Sequence, residues 1–327
     1  MRVFITGCAG YIGSFLTRYL LSKGYKVRCV DALYFGSDVI ADILNNPNFQ
    51  FFKLDSREIV KDMLKDVDAV VDMVAIANDP SAELVPDLTW KVNLESRAKL
   101  AKLAKEAGVK KYVVTSSCSV YGFQEEIANE ETPPNPLTTY AKANVEVEKR
   151  ILPLNDKGYC TTALRLATVF GVSRRMRFDL VLNAMVLNAF LKGLIYVDGT
   201  GEQRRPLVHV GDVSRAIEMV LRSDKVCGEV INIGSNTQNV TIKQLAEEVA
   251  KVTGARIEYR KELVDKRSYA VNFDKAKRLL GFETIYDIGY GIREVYNALV
   301  LGFVKPEERW WTVKWYKKLL ERGELKI

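Results

Sequence analysis

A glycine-rich turn, Gly7-Cys8-Ala9-Gly10-Tyr11-Ile12-Gly13, most constrains how this chain can fold. It follows the apolar run 2–6 (RVFIT), which reads as a strand, and precedes the apolar-periodic run 12–21, which reads as a helix. Such a turn brings backbone N–H groups up to a pyrophosphate, and the positive end of the helix favours the phosphate charge. Gly7 permits the tight turn, Gly10 lets the backbone approach the phosphates, and Gly13 lets helix and strand pack closely. Tyr11 and Ile12 complete the contact surface. A second strand, 26–30, ends in Asp31, an acid placed to accept hydrogen bonds from the adenosine ribose hydroxyls. No arginine follows Asp31 closely, as a 2′-phosphate would require, so the motif selects NAD over NADP.

The chain has 327 residues, more than one dinucleotide-binding domain needs. No apolar run is long enough to span a bilayer, so no membrane partner is expected. Met1 stands almost on the first strand, with no room for a targeting segment; a cytoplasmic protein is expected. Five scattered cysteines (8, 29, 118, 160 and 227) have no metal-site spacing and read as reduced thiols. The net charge of +7 is spread among nearly as many acids as bases. That pattern suits a phosphorylated small molecule better than nucleic acid. With one histidine, His209, neither a metal centre nor histidine catalysis is expected. His209 itself reads as a structural residue at a domain junction.

Strand and helix signals alternate through the first half, which implies a parallel sheet wound on both faces. Strands are expected at 49–53, 69–73, 111–116 and 160–166, and helices at 59–65, 89–107, 140–152 and 179–192. The expected fold is α/β: a Rossmann-type doubly wound parallel sheet with a smaller C-terminal mixed α/β substrate domain. Residues 1–170 form the dinucleotide domain, to which 210–233 return; 171–209 and 234–327 form the substrate domain. The aromatics Trp310, Trp311, Trp315 and Tyr316 are expected to pin a final helix to the body.

The strand at 111–116 runs into TSSCSVYG, Thr115 to Gly122, and PLTTYAKAN, Pro136 to Asn144, opens the next helix. A serine hydroxyl at a strand end and a tyrosine on the following helix can meet at the carboxyl edge of the sheet, where doubly wound folds bind ligands. There a phenol can exchange a proton with a sugar hydroxyl while a hydride moves to or from nicotinamide.

In these motifs the chain resembles the extended short-chain dehydrogenase/reductases, in their NAD-dependent nucleotide-sugar epimerase/dehydratase branch, in the manner of UDP-glucose 4-epimerase. GCAGYIG matches the family's GxxGxxG, and Asp31 with ALYFG its ribose-binding acid and loop. Asp55-Ser56 is similar to the adenine-contacting pair. The run 68–77 (DAVVDMVAIA), with Val74 and Ala75, is similar to the strand beside the nicotinamide ribose. Asn93 matches a helix asparagine near the site, and RPLVHVGD and NIGS are also family-like. The resemblance implies Ser117 as the active-site hydroxyl, Tyr140 as acid/base, and Thr115 beside the cofactor. It implies that Arg205 and Arg267 clamp a nucleotide-sugar pyrophosphate, with Asn183 facing the phosphates, and that the protein is a homodimer.

Three departures stand out. Where the family has YxxxK, this chain has Asn144, whose amide can still bind the ribose hydroxyls but carries no charge to lower the phenol pKa. Lys142 is no substitute, because two residues along a helix turn it roughly 200° away. Asp72 stands where relatives commonly have histidine, in an apolar strand that obliges it to find a partner or a polar cavity. Cys118 and Ser119 occupy the positions of the Asp-Glu pair of 4,6-dehydratases, which argues against dehydration.

The expected function is NAD-dependent epimerisation of a UDP-glucose/UDP-galactose type nucleotide sugar at C4, through a transient 4-keto sugar. The alternatives are a nucleotide-sugar 4-ketoreductase or decarboxylase, or, because of Asn144, a catalytically weak NAD- or nucleotide-sugar-binding sensor or scaffold.

Overall fold

In a computed structural model the described residues are 1–260 and 267–325. Strands β1 (Arg2–Thr6), β2 (Lys26–Asp31) and β3 (Phe49–Lys53) lead the chain, with α1 (Tyr11–Ser22) between the first two. Next come β4 (Ala69–Asp72), α2 (Asp79–Leu84), α3 (Pro86–Trp90) and α4 (Arg97–Glu106). After these follow β5 (Lys111–Ser117), β6 (Phe123–Ala128), α5 (Thr139–Ile151), β7 (Cys160–Leu166) and β8 (Thr168–Phe170). The chain continues through α6 (Val181–Lys192), β9 (Leu194–Asp198), β10 (Arg204–His209), α7 (Val210–Arg222) and β11 (Glu229–Ile233).

Seven of these strands form one parallel sheet in the order β11-β7-β5-β4-β1-β2-β3. Its central strands β1 and β4 are buried on both faces, so they read as nearly continuous apolar runs. In β1, Val3 and Ile5 join one apolar cluster and Phe4 the other; in β4, Ala69 and Val71 oppose Val70 in the same way. α1 and α7 cover the first face, α4 and α5 the second. The strand order reverses at β1, leaving a crevice at the carboxyl ends of β1 and β4, where doubly wound sheets bind ligands. The segment 210–233 returns to this sheet: α7 packs on α1, and β11 pairs with β7.

The remaining elements are β12 (Asn239–Thr241), α8 (Ile242–Thr253), β13 (Arg256–Arg260), β14 (Ser268–Val271), α9 (Asp274–Leu280), α10 (Ile288–Val300) and α11 (Thr312–Glu321). β12, β10 and β8 form a small sheet; β13 pairs with β9 and β14 with β6. α11 is pinned as its aromatics imply. Tyr316 is buried, its ring meets Phe35 edge-on at 5.6 Å, and Trp315 Nε1 donates to the Tyr34 carbonyl at 2.6 Å.

Three expectations need correction. The helix expected at 89–107 is interrupted: Lys91–Ser96 widens into a π-type turn between α3 and α4. The helix expected at 59–65 shrinks to one tight turn, Lys61–Leu64, too short to hold an amphipathic face. Four cysteines, expected as free thiols, are paired. Cys8 and Cys29 are brought together by the neighbouring strands β1 and β2, Cys160 and Cys227 by β7 and β11. Parallel neighbours close such distances in space whatever their separation in sequence. Cys118 is free and buried. Among the described residues no helix is long and apolar enough to cross a membrane.

Candidate functional site

A cavity of about 600 Å³ opens at the carboxyl edge of the large sheet. The glycine-rich turn lines one end of it with Gly7, Gly10, Tyr11, Ile12 and Gly13. Gly7 has φ +73°, and a Cβ on Gly13 would run into the Gly7 carbonyl. The N-cap residue of α1 is Gly10, which has no side chain to cap the helix, and no acid sits in its first turn. The N-terminal N–H groups and the positive end of the helix suit an anion. These features fit a dinucleotide pyrophosphate. Asp31 closes the next wall; it accepts hydrogen bonds from the backbone N–H groups of Ala9 (2.9 Å) and Leu33 (2.8 Å). Burial raises the Asp31 pKa, while these two bonds and Arg175 act against it.

Asp55, Ser56, Val74, Ala75 and Thr115 also line the cavity. Asp55 is ion-paired with Arg57 at 2.9 Å, and Ser56 meets Ser96 at 3.2 Å. Thr6 Oγ1 accepts from the N–H groups of Met73 (3.0 Å) and Val74 (3.1 Å), holding the chain after β4 in place. Asn93 and Asn183 do not line the cavity. Asn93 is buried behind it, accepting from Ile76 N at 2.7 Å and donating to Ile76 O at 3.1 Å. Asn183 is fully buried, accepting from Gly171 N and donating to Tyr11 Oη and Arg177 O. Both amides brace the walls because helix periodicity places them on inward faces, where a backbone segment is nearer than the cavity.

Ser117, Tyr140 and Asn144 come together on the same cavity. Ser117, the last residue of β5, accepts from Ser119 N at 3.1 Å, which leaves its hydroxyl proton to donate elsewhere. Thr138 caps α5 through a bond from Ala141 N, and Tyr140 follows in the first turn. Asn144, one turn on, donates to the Tyr140 carbonyl at 3.1 Å. Burial raises the Tyr140 phenol pKa; Asn144 opposes the rise, Asp79 adds to it, and Arg177 and Arg97 oppose it.

The far end is basic. Arg205 and Arg267 both line the cavity. Arg205 is buried, donating to Arg267 O at 2.5 Å, with its guanidinium 5.5 Å from the Tyr269 ring. Arg267 is paired with Asp79. Sequence reasoning did not anticipate Arg97, Arg175 and Arg177, which are buried and line the same cavity. Arg175 packs over Phe35 at 3.7 Å, and burial first, then Arg177, pulls its pKa down to about 10. Arg177 is bonded to Asp179 at 2.6 Å. The one available signal was the basic burst SRRMR inside an otherwise apolar stretch. His209 is structural: Nδ1 accepts from Gly211 N at the start of α7, and Nε2 meets Glu294 at 2.9 Å. Among the described residues no side-chain cluster could hold a metal ion.

This arrangement unites a dinucleotide cradle, a serine–tyrosine pair and a basic far wall in one cavity. The chain is similar to several known proteins. A UDP-glucose 4-epimerase of Lactobacillus helveticus is 29% identical over 311 residues, covering 86% of this chain and 92% of that protein. A UDP-glucuronic acid decarboxylase 1 of Xenopus tropicalis is 25% identical over 303 residues, covering 90% of this chain and 70% of that protein. The crystal structure of UDP-glucuronic acid 4-epimerase from Bacillus cereus, in complex with UDP-glucuronic acid and NAD, superposes with a TM-score of 0.82 at 25% identity, covering 92% of this chain and 99% of that one. Residues 3–234, which carry both the glycine-rich turn and the serine–tyrosine pair, match the family model, and the chain belongs to the NAD dependent epimerase/dehydratase family.

Proposed function

We propose that this protein epimerises a nucleotide sugar at C4, of the UDP-glucose/UDP-galactose type, with NAD as its resident cofactor. The observation that carries this reading is the placement of Ser117 and Tyr140 on one cavity with the glycine-rich turn on one side and Arg205 and Arg267 on the other.

NAD supplies a hydride acceptor and, on return, a hydride donor at the sugar carbon. The Gly7–Gly13 turn and the start of α1 would hold its pyrophosphate, Asp31 its ribose hydroxyls, Asp55 and Ser56 its adenine end, and Val74, Ala75 and Thr115, which line the same cavity, its nicotinamide end. Ser117, whose oxygen already accepts from Ser119 N, donates to the sugar 4-oxygen and holds it. Tyr140 takes the proton of the 4-hydroxyl as the carbonyl forms and gives it back when the alcohol is restored. Arg205 and Arg267 bind the diphosphate. Cys118 and Ser119 offer no acid–base pair to eliminate water, which disfavours a 4,6-dehydratase.

A second reading, a sugar bearing a carboxylate and its decarboxylation or epimerisation, is favoured by Arg177 on the cavity wall. Its pairing with Asp179 weighs against that, because the positive charge is already matched. Incubation of the purified protein with UDP-glucose or UDP-glucuronate, with products separated by chromatography, tests both. UDP-galactose is expected. A UDP-pentose with carbon dioxide, or UDP-galacturonate alone, would replace the first reading by the second. Binding of nucleotide sugars without any product would favour a sensor or scaffold.

A further inference from the structure

Asn144 leaves α5 without a positive charge one turn after Tyr140, and Lys142 is exposed. We propose that Arg97, reaching the cavity from α4, is the positioning cation for Tyr140, and that Asp72 serves to hold it there. The proposal rests on the reading of Tyr140 as the proton-transfer group.

Arg97 opens α4 and is 1% exposed. Its Nη2 donates to the carbonyls of Asp72 (2.9 Å) and Thr115 (2.7 Å), and its Nε to Asp72 Oδ2 (3.2 Å). The guanidinium therefore straddles the carboxyl edge between β4 and β5, the strand that ends at Ser117. α4 and the π-type turn before it pack against α5, the helix of Tyr140 and Asn144. Asp72 is fully buried and receives two further donors, Thr6 Oγ1 at 2.5 Å and Tyr112 Oη at 2.6 Å. A buried carboxylate with this many partners is fixed, and so is the arginine it holds. Two departures from the family pattern, Asp72 and Asn144, thereby become parts of one device.

The polarity of the pair matters. Arg97 and Tyr140 line the same cavity and Asp72 does not, so the positive member of the pair is the one on the cavity side. The other charged groups that act on Tyr140 are Asp79 from α2 and Arg177 from the segment before α6. Each is matched by a partner on the same cavity wall, Asp79 by Arg267 and Arg177 by Asp179. Arg97 alone has its counter-charge set behind the wall. Its field acts in the same direction as the Asn144 hydrogen bond and Arg177, lowering the phenol pKa against the effect of burial.

The test is a titration of Tyr140 itself. The protein is labelled with 3-fluorotyrosine, whose more acidic phenol titrates in a range the fold tolerates. The resonance of residue 140 is assigned by its absence in Tyr140→Phe. Asp72→Asn combined with Arg97→Met removes both charges while keeping an acceptor for Thr6 and Tyr112. This variant should raise the titration midpoint and so lower the fraction of phenolate at a given pH. Arg97→Lys should keep the midpoint close to the native one. Adding Asn144→Lys to the neutralised pair should bring it back down. An unchanged midpoint in the folded double variant, or a full shift from Arg177→Met, would overturn the proposal. If the double variant fails to fold, Arg97→Gln, which keeps donors for the Asp72 and Thr115 carbonyls, should still raise the midpoint. No sugar is needed, so absence of epimerase activity would count against the proposed function and leave this measurement decisive.

Discussion

The amide nitrogen of Asn183 lies 3.1 Å from the hydroxyl of Tyr11, and that hydroxyl donates in turn to the Gly171 carbonyl at 2.6 Å. The first residue of α1, on the glycine-rich turn, is thus tied to α6 and to the turn after β8. Asn183→Leu should leave Gly171 N and Arg177 O unpartnered in the interior, at about 1–3 kcal/mol for each group. A lower denaturation midpoint together with weaker NAD binding is expected. NAD affinity unchanged in the variant would mean that the tie does not set the position of Tyr11.

Asp31 faces the cavity with both oxygens already accepting backbone N–H groups, so it has little freedom to turn away from a ribose. Calorimetry should find NAD bound in clear preference to NADP, whose 2′-phosphate would meet this carboxylate. Asp31→Ala should weaken NAD binding and narrow the preference. Arg175 stands close enough to act on Asp31, so some affinity for NADP should appear once the carboxylate is gone. Equal native affinity for the two dinucleotides would contradict this.

The sheet and the cradle were legible in the sequence because their signals are local. A strand buried on both faces is a short apolar run, and a glycine turn between strand and helix is contiguous. β1, β3 and β7 end where those runs end. The basic wall was legible only in part: Arg205 and Arg267 stand in recognisable motifs and line the cavity, but Arg97, Arg175 and Arg177 escaped notice, because burial is a property of the whole fold. Arg97 reads as one more solvated charge in RAKLAKLAKE, yet it is buried against Asp72. Asn183 and Asn93 have the right chemistry for ligands, but backbone groups claim their amides first. The cysteine pairs join residues 21 and 67 apart in sequence, a relation that only the strand order reveals.

Those pairs make a simple prediction. Thiol titration of the denatured, unreduced protein should count one free thiol, Cys118, instead of five. Closing loops of these lengths restricts the unfolded chain by about 3 and about 4 kcal/mol in the chain-entropy picture, so reduction should lower the unfolding midpoint. Five titratable thiols in protein purified without reductant would show the pairs to be open.

Arg267 and Asp79 neutralise each other on the cavity wall. A diphosphate arriving there shares the guanidinium with the acid, so Arg267→Ala removes a charge-assisted contact and leaves Asp79 facing the phosphates. UDP should bind about 10- to 150-fold more weakly, corresponding to roughly 1.5–3 kcal/mol. NAD affinity should hardly change, since Arg267 lies at the other end. A parallel loss of both affinities would indicate a general collapse of the cavity.

Tyr140 governs the pH dependence. To accept a proton from the sugar hydroxyl it must be ionised, and burial holds its pKa above the usual phenol value. Phenolate is therefore scarce at neutrality and grows as pH rises towards that pKa. The rate of sugar oxidation, followed as NADH absorbance in a single turnover, should climb about tenfold per pH unit on the low-pH limb. Tyr140→Phe should abolish it. Asn144→Lys puts a cation one turn along the same helix face, favours the phenolate, and should move the limb to lower pH, raising the rate at neutrality. In the native protein Arg97 and Arg177 offset part of the cost of burial, so the gain from a lysine should be smaller than for a tyrosine without cations. A flat pH profile near neutrality, unchanged by Asn144→Lys, would assign the proton transfer to another group.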